Sequence, residues 1–256
     1  MKTKLEGFPH IFYISCYQDK ERREKLIENF KTRNLSYSKI EAIDGRKEDI
    51  SKYIVGGIPP NMNNAEIACT LSHLKAINYF YHHMPDCDGI VICEDDLDFS
   101  PVEYWNFSWK ELFDNLPYDL EILQMSIIND IQISANIHPR YNNDFGTGIY
   151  YITKDYARRL LEFHCTSNKY NINRGTNPRS VSDDLIYLPA RAYAMPLFLY
   201  DISFESTIHQ DHVKIFHQKS YDAILNFWKT QGKSIPLSTL LQYDPRMGRL
   251  PLPLPQ

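Results

Sequence analysis

The chain has 256 residues, enough for one large α/β domain or two small ones, and it needs no staples to fold. Its composition of 43% hydrophobic, 23% charged and 13% aromatic residues excludes disorder, collagen and coiled coil. Acids outnumber bases by 32 to 28, a formal charge of −4, which argues against a general electrostatic nucleic-acid binder.

In chain order, Phe8 to Ser15 is an aromatic and β-branched run and predicts a buried first strand. Asp19 is placed to cap a helix through about Arg33, with Leu26, Ile27 and Phe30 inside and Asn34 at its end. Tyr37 to Ile43 predicts a second strand, closed by the Asp44-Gly45 turn. A loop over 51–64 follows, with Gly56-Gly57 and Pro59-Pro60. Asn63 then starts the clearest helix, in which Ile67, Leu71, Leu74, Ile77 and Tyr81 recur at helical spacing. The short apolar run Gly89 to Cys93 has the pattern of a parallel strand covered on both faces.

After a stretch with Trp and Pro, Asp119 to Ser126 and Ile149 to Ile152 predict strands, the latter behind Gly146-Thr147-Gly148. A helix is expected over Thr153 to His164, and a polar surface loop over 165–182. Tyr193 to Tyr200 predicts a late strand and Tyr221 to Gln231 an amphipathic helix before a Leu-Pro tail. Strand and helix alternate, so a mostly parallel α/β sheet is expected. The expected organisation is one domain over 1–216, with the C-terminal helix and tail of 217–256 packed on it.

The five cysteines, Cys16, Cys69, Cys87, Cys93 and Cys165, are odd in number and form no C-x-x-C pair. Cys69 and Cys93 read as small buried hydrophobes. A reducing, cytoplasmic location is expected. The N-terminus lacks the apolar run of a secretory signal, and nothing approaches the ~20 apolar residues of a membrane span. Membrane contact is expected to be peripheral at most.

Chemistry concentrates at Glu94, Asp95, Asp96 and Asp98, four carboxylates within five residues directly after a predicted buried strand. Two like charges ~4 Å apart repel by ~4 kcal/mol at an effective dielectric of 20, so such a cluster calls for protonation or a cation. Oxygen-only ligands favour Mg²⁺ or Mn²⁺. The alternative is an acidic turn facing solvent. Glu66, Thr70 and His73 share one face of the long helix, where Glu66 with Asn63 resembles a capping box and His73 also fits a structural role. Arg22 and Arg23 oppose the dipole of the first helix, a cost that a bound anion would offset. One of Asp183 and Asp184 fits an N-cap, and either also fits a general base across a crevice. His209 and His212, after the late strand, are candidate metal ligands.

These pieces stand in a recognisable order: IFYISCYQDKERREKL, EAIDG, AEIACTLSHLKAI, VICEDD, GTGIYYITKDYARRLL and SDD. Together they resemble glycosyltransferase family 25, the family of lipooligosaccharide and procollagen galactosyltransferases, over roughly residues 9–212. The most specific parts are Glu66, Ile67, Cys69, Leu71, Ser72 and His73 of the helix, and the E-D-D after a strand.

The resemblance implies a GT-A fold, a UDP-sugar donor, transfer with inversion and a divalent metal, Mn²⁺ or Mg²⁺. It implies that Glu94 and Asp96 surround the metal, with His212 or His209 reaching it, and that Asp184, by preference over Asp183, is the base. Ser15, Arg22, Asp44, Ser72, His73 and Asp95 are then expected on the nucleotide-sugar side. The loop over 165–182 and everything after Phe216 depart from the bacterial members, so the acceptor (glycan, lipid-linked glycan or protein) does not carry over. Two other readings stand beside it: a metal-dependent phosphoesterase or nucleotide hydrolase, and a non-catalytic carbohydrate-binding relative.

Overall fold

Alternating side chains of β1 (Ile11–Ser15) fall on opposite faces of one sheet, and both faces are covered. Ile11 and Tyr13 join one apolar core with Leu26, Phe30, Trp105 and Trp228, while Phe12 and Ile14 join another built around the long helix. That two-sided burial is why the segment reads as an unbroken apolar run. The structure, a computed structural model, describes residues 4–129, 131–173, 181–204, 217–242 and 249–250.

The helix α1 (Lys20–Thr32) follows, and Asn34 leaves it with a φ of 53°. Asp19 occupies the N-cap position but makes no capping bond; its carboxylate lies instead 3.5 Å from Nη2 of Arg46. β2 (Tyr37–Glu41) pairs parallel with β1. The loop after it contains one 3₁₀ turn, Ile50–Tyr53.

The long helix α2 (Asn64–His83) is started by a complete capping box: Asn63 accepts from the Glu66 N–H, and the Glu66 carboxylate accepts from the Asn63 N–H, both at 2.9 Å. Ile67, Leu71, Leu74 and Ile77 are fully buried, each contributing about 1.5–3 kcal/mol relative to exposure.

β3 (Gly89–Glu94) pairs parallel with β1, as its composition predicts, but its other neighbour is antiparallel. The segment without an expected element carries β4 (Leu97–Asp98), a 3₁₀ turn at Ser100–Tyr104 and α3 (Trp109–Phe113) with its own capping box. Next come β5 (Ile122–Gln124), β6 (Ile133–Ser134), β7 (His138–Pro139), β8 (Ile149–Thr153) and α4 (Lys154–His164), which Thr153 caps.

The polar loop expected from 165 opens with a small hairpin, β9 (Cys165–Thr166) and β10 (Lys169–Tyr170), before α5 (Ser182–Tyr187). The aromatic run expected as one late strand is two. β11 (Ala192–Ala194) lies in the main sheet, whereas β12 (Leu199–Tyr200) pairs antiparallel with β4. Pro196 has no N–H to continue a ladder, and Leu197 and Phe198 both donate instead to the Met125 carbonyl at 2.9 Å. α6 (Gln218–Gln231) packs Ile224, Phe227 and Trp228 into the first core, with Trp228 Nε1 donating to the Pro196 carbonyl at 2.7 Å. α7 (Leu237–Leu240) and β13 (Arg249–Leu250), which pairs with β6, complete the described chain. The Pro-rich end of the tail lies outside the described residues.

The main sheet has the order β2-β1-β3-β8-β5-β11-β7. Strands β1, β2, β3, β5 and β11 run one way, and β8 and β7 run against them, so the mixed α/β sheet is mostly parallel. All five cysteines are free thiols. Among the described residues no helix is long and apolar enough to cross a membrane.

Candidate active site

Strand direction creates the site. β1 and β3 end side by side, Ile14 opposite Glu94, and antiparallel β8 begins where β3 stops. The Glu94 N–H therefore donates to the Gly148 carbonyl at 2.9 Å, which brings Thr147 against the acidic motif. The N-terminal half of α2 and the start of α5 close the same edge. A cavity of about 510 Å³ opens there, within the size range of small-molecule sites.

Ten of the residues expected to act line this cavity: Ser15, Arg22, Asp44, Ser72, His73, Glu94, Asp95, Asp96, Asp183 and Asp184. His209 and His212 lie outside the described residues.

The three acids do not face bulk water; the side chains of Glu94, Asp95 and Asp96 are 24%, 9% and 20% exposed. Arg22 neutralises two of them, with Nε 3.2 Å from Asp95 Oδ1 and Nη2 on Asp96 Oδ2. Burial raises the Asp96 carboxyl to about 7 against the pull of Arg22, helped by its acidic neighbours Glu94 and Asp95. Asp95 is raised by burial too, again against Arg22. Burial pushes Glu94 the same way, but His73, Thr147 and Arg22 together hold it below the usual carboxylate range.

Asp96 Oδ1 is buried without a hydrogen-bond partner. That orphaned oxygen is a hard donor of the kind Mn²⁺ or Mg²⁺ takes, while among the described residues the ligand atoms that converge within 4.8 Å are those of Cys69, His73 and Glu94.

Across the cavity, Asp183 Oδ2 accepts the Gly146 N–H at 2.9 Å. Burial raises the Asp183 carboxyl, opposed by that hydrogen bond and by Arg140. Gly146 has a φ of +103°, and a Cβ there would stand 2.0 Å from the Tyr200 hydroxyl oxygen. Tyr200 in turn accepts the Gly148 N–H at 2.8 Å.

On the side of β2, Asp44 accepts from Arg46 and from Gln18, and these bonds hold its carboxyl low despite burial. Ser72 shapes this wall: its hydroxyl accepts the Ile43 N–H at 2.9 Å and donates to the Ala68 carbonyl at 2.7 Å. Gly45 is required by contact, since a Cβ would fall 2.3 Å from the Asn64 carbonyl oxygen. Ser15 donates to the Cys16 carbonyl at 3.3 Å.

Cys69 lines the cavity rather than the core, in contrast to Cys93, which is fully buried. Sequence reasoning also passed over Thr147, Ser182, Arg46, Phe145 and Phe204, all on the cavity wall. Arg46, two residues past the Asp44 turn, Thr147, inside the Gly-Thr-Gly segment, and Ser182, heading the Ser-Asp-Asp segment, carried a local signal.

A family described as Glycosyltransferase family 25 (LPS biosynthesis protein) matches residues 8–174 of this chain. A protein of Aedes aegypti named "Glycosyltransferase 25 family member" is 32% identical over 113 residues, 39% of this chain. The match spans only 18% of that curated relative's length. Among solved structures, the apo glycosyltransferase GlyE of Streptococcus pneumoniae TIGR4 aligns over 90% of this chain and 65% of its own, at 10% identity and a TM-score of 0.42. A Drosophila beta-1,4-galactosyltransferase 7 mutant, complexed with manganese, UDP-Gal and xylobiose, aligns over 90% and 83%, at 13% identity and a TM-score of 0.38.

Proposed function

Because this chain belongs to glycosyltransferase family 25, whose match covers residues 8–174, we propose that it is a metal-dependent, inverting glycosyltransferase. In this reading a sugar, galactose or glucose, passes from a UDP-sugar to a hydroxyl of a glycan or protein acceptor. One observation carries the proposal: a single cavity of about 510 Å³ joins the acids at the end of β3 to Asp183 and Asp184 at the start of α5. Electrophile activation and proton removal then have separate walls to act from.

Glu94 and Asp96 would hold the cation, Asp96 through its orphaned Oδ1. When bound, such a cation neutralises charge on the departing diphosphate. Arg22, already seated on Asp95 and Asp96, supplies a second positive group on the diphosphate side. Asp44, fixed by Arg46 and Gln18, is an ionised acceptor suited to ribose or uracil donors.

Asp183 is the better placed base. Its Oδ2 is pinned by the Gly146 N–H, and burial raises its basicity above that of an ordinary carboxylate. Removal of the acceptor's proton as its oxygen attacks the anomeric carbon needs no covalent intermediate. Phe145, 47% exposed on the wall next to Gly146, offers an aromatic face to an acceptor sugar.

The test is nucleotide release by the purified chain with Mn²⁺ and a panel of UDP-sugars, with and without acceptor glycans. Acceptor-accelerated UDP release that disappears with a chelator is the expected result. Binding of no UDP compound would overturn the proposal, and phosphate release indifferent to acceptor would favour a nucleotide hydrolase.

A further inference from the structure

Behind the acid rim lies a second donor set of different chemistry. Cys69 and His73 are four residues apart on α2, hence on one helix face, and Glu94 meets them from the end of β3. The Cys69 thiol sulfur, a His73 ring nitrogen and a Glu94 carboxylate oxygen all lie within 4.8 Å of one another. His73 is 1% exposed, and its Nδ1 is engaged with the Tyr150 hydroxyl at 3.0 Å. Its Nε2 has no hydrogen-bond partner and stands 3.4 Å from Glu94 Oε1. A buried ring nitrogen facing a carboxylate oxygen 3.4 Å away, with a thiol sulfur within 4.8 Å, is placed as a metal ligand is.

We propose that Cys69, His73 and Glu94 bind a borderline-soft divalent cation of the zinc type, distinct from the hard cation assigned to Asp96. One sulfur, one nitrogen and one oxygen donor match Zn²⁺, whereas Mn²⁺ and Mg²⁺ prefer oxygen alone. All three residues line the cavity, so an ion could reach them through it.

A supporting layer is already built around these ligands. Tyr150 fixes the His73 ring, Thr147 Oγ1 donates to Glu94 Oε1 at 2.9 Å, and Ser182 Oγ lies 3.1 Å from Thr147 Oγ1 and 3.7 Å from Cys69 Sγ. Outer partners of this kind orient metal ligands. Zinc bonds of about 2.0–2.3 Å place tetrahedral ligand atoms roughly 3.3–3.7 Å apart, so the set contracts by up to about 1 Å on loading. Coordination converts the Cys69 thiol to a thiolate and releases its proton to solvent.

Because Glu94 belongs to both donor sets, zinc in this site withdraws a ligand from the hard-cation site. Zinc therefore inhibits manganese-supported turnover; that consequence rests on the transferase reading, whereas zinc uptake does not.

The metal-free chain is titrated with Co²⁺, a coloured stand-in for zinc. One equivalent binds with a thiolate-to-cobalt charge-transfer band, and Zn²⁺ displaces it. Cys69→Ser removes the band, His73→Gln weakens Co²⁺ binding by at least the roughly tenfold that loss of an outer partner costs, and both Cys16→Ser and Asp96→Asn keep the band. Absence of a thiolate band in the unmutated chain, or its survival in Cys69→Ser, overturns the proposal. Cobalt taken up with an oxygen-only spectrum does the same, leaving the transferase reading intact.

Discussion

Arg22 Nε lies 3.2 Å from Asp95 Oδ1, and the same guanidinium reaches Asp96, so a side chain of α1 occupies the charge position that a bound cation would share. Both partners of this contact are largely withdrawn from water, at 12% and 9% exposure. In the proposed reading, an arginine placed so would both compete with a cation for the acids and stay at hand for a diphosphate. Substituting Arg22→Met separates the two roles. Mn²⁺ binding to the ligand-free chain should tighten several-fold, because a competing charge is gone, while the KM for the UDP-sugar should rise by about tenfold, or ~1.4 kcal/mol. Calorimetry with Mn²⁺ and steady-state kinetics read the two effects. Weaker Mn²⁺ binding in the variant would show that Arg22 organises the acids instead of competing for them.

The raised Asp96 carboxyl makes the metal-free protein sensitive to pH. A group that holds its proton to about 7 when folded, but only to ~3.9 when unfolded, favours folding fully below the unfolded value. That contribution is lost as pH rises through about 7, because the unfolded chain ionises first. Asp96→Asn should therefore raise the Tm of the metal-free protein at pH 7.5 by on the order of 5 °C and leave it nearly unchanged at pH 4. Asp95 and Asp183 are raised too, so thermal melts of the two proteins compared across pH isolate the Asp96 part. An equal Tm difference at both pH values would contradict the assignment.

Asp183 and Asp184 are adjacent in sequence but differ in surroundings, and kinetics should tell them apart. Asp183→Asn should lower kcat by about 10²–10⁴-fold, the usual contribution of a general base, with the donor KM little changed. Asp184→Asn should cost much less. The reverse order would transfer the role to Asp184.

Ser72 predicts a stability effect rather than a kinetic one. Its hydroxyl satisfies the buried Ile43 N–H, which leads into the Asp44 turn. Ser72→Ala leaves that donor without a partner, at a cost of about 1–3 kcal/mol in urea unfolding. A change below about 0.5 kcal/mol would mean that the turn finds another acceptor.

Gly146 joins fold to chemistry. Its positive φ and the closeness of Tyr200 leave no room for a methyl group, yet its N–H is what pins Asp183. Gly146→Ala should reduce kcat far more than donor affinity, measured by turnover alongside UDP binding. Equal losses in both would indicate general collapse of the cavity wall.

Much of this was written locally in the chain. The unbroken apolar runs of β1 and β3, the capping box of Asn63 and Glu66, the apolar stripe of α2 and the acids after β3 depend on neighbours within about one turn or strand, which composition, periodicity and cap chemistry expose directly. Long-range pairing decided the rest. The antiparallel entry of β8 carries Thr147 to Glu94, Pro196 divides the aromatic run between two sheets, and Arg22 reaches acids more than seventy residues away. Such contacts depend on which strand lies beside which and on the loops that fold across the sheet edge. No spacing along the chain encodes that Cys69, His73 and Glu94 converge, because a helix face and a strand end become neighbours only once packing fixes their distance.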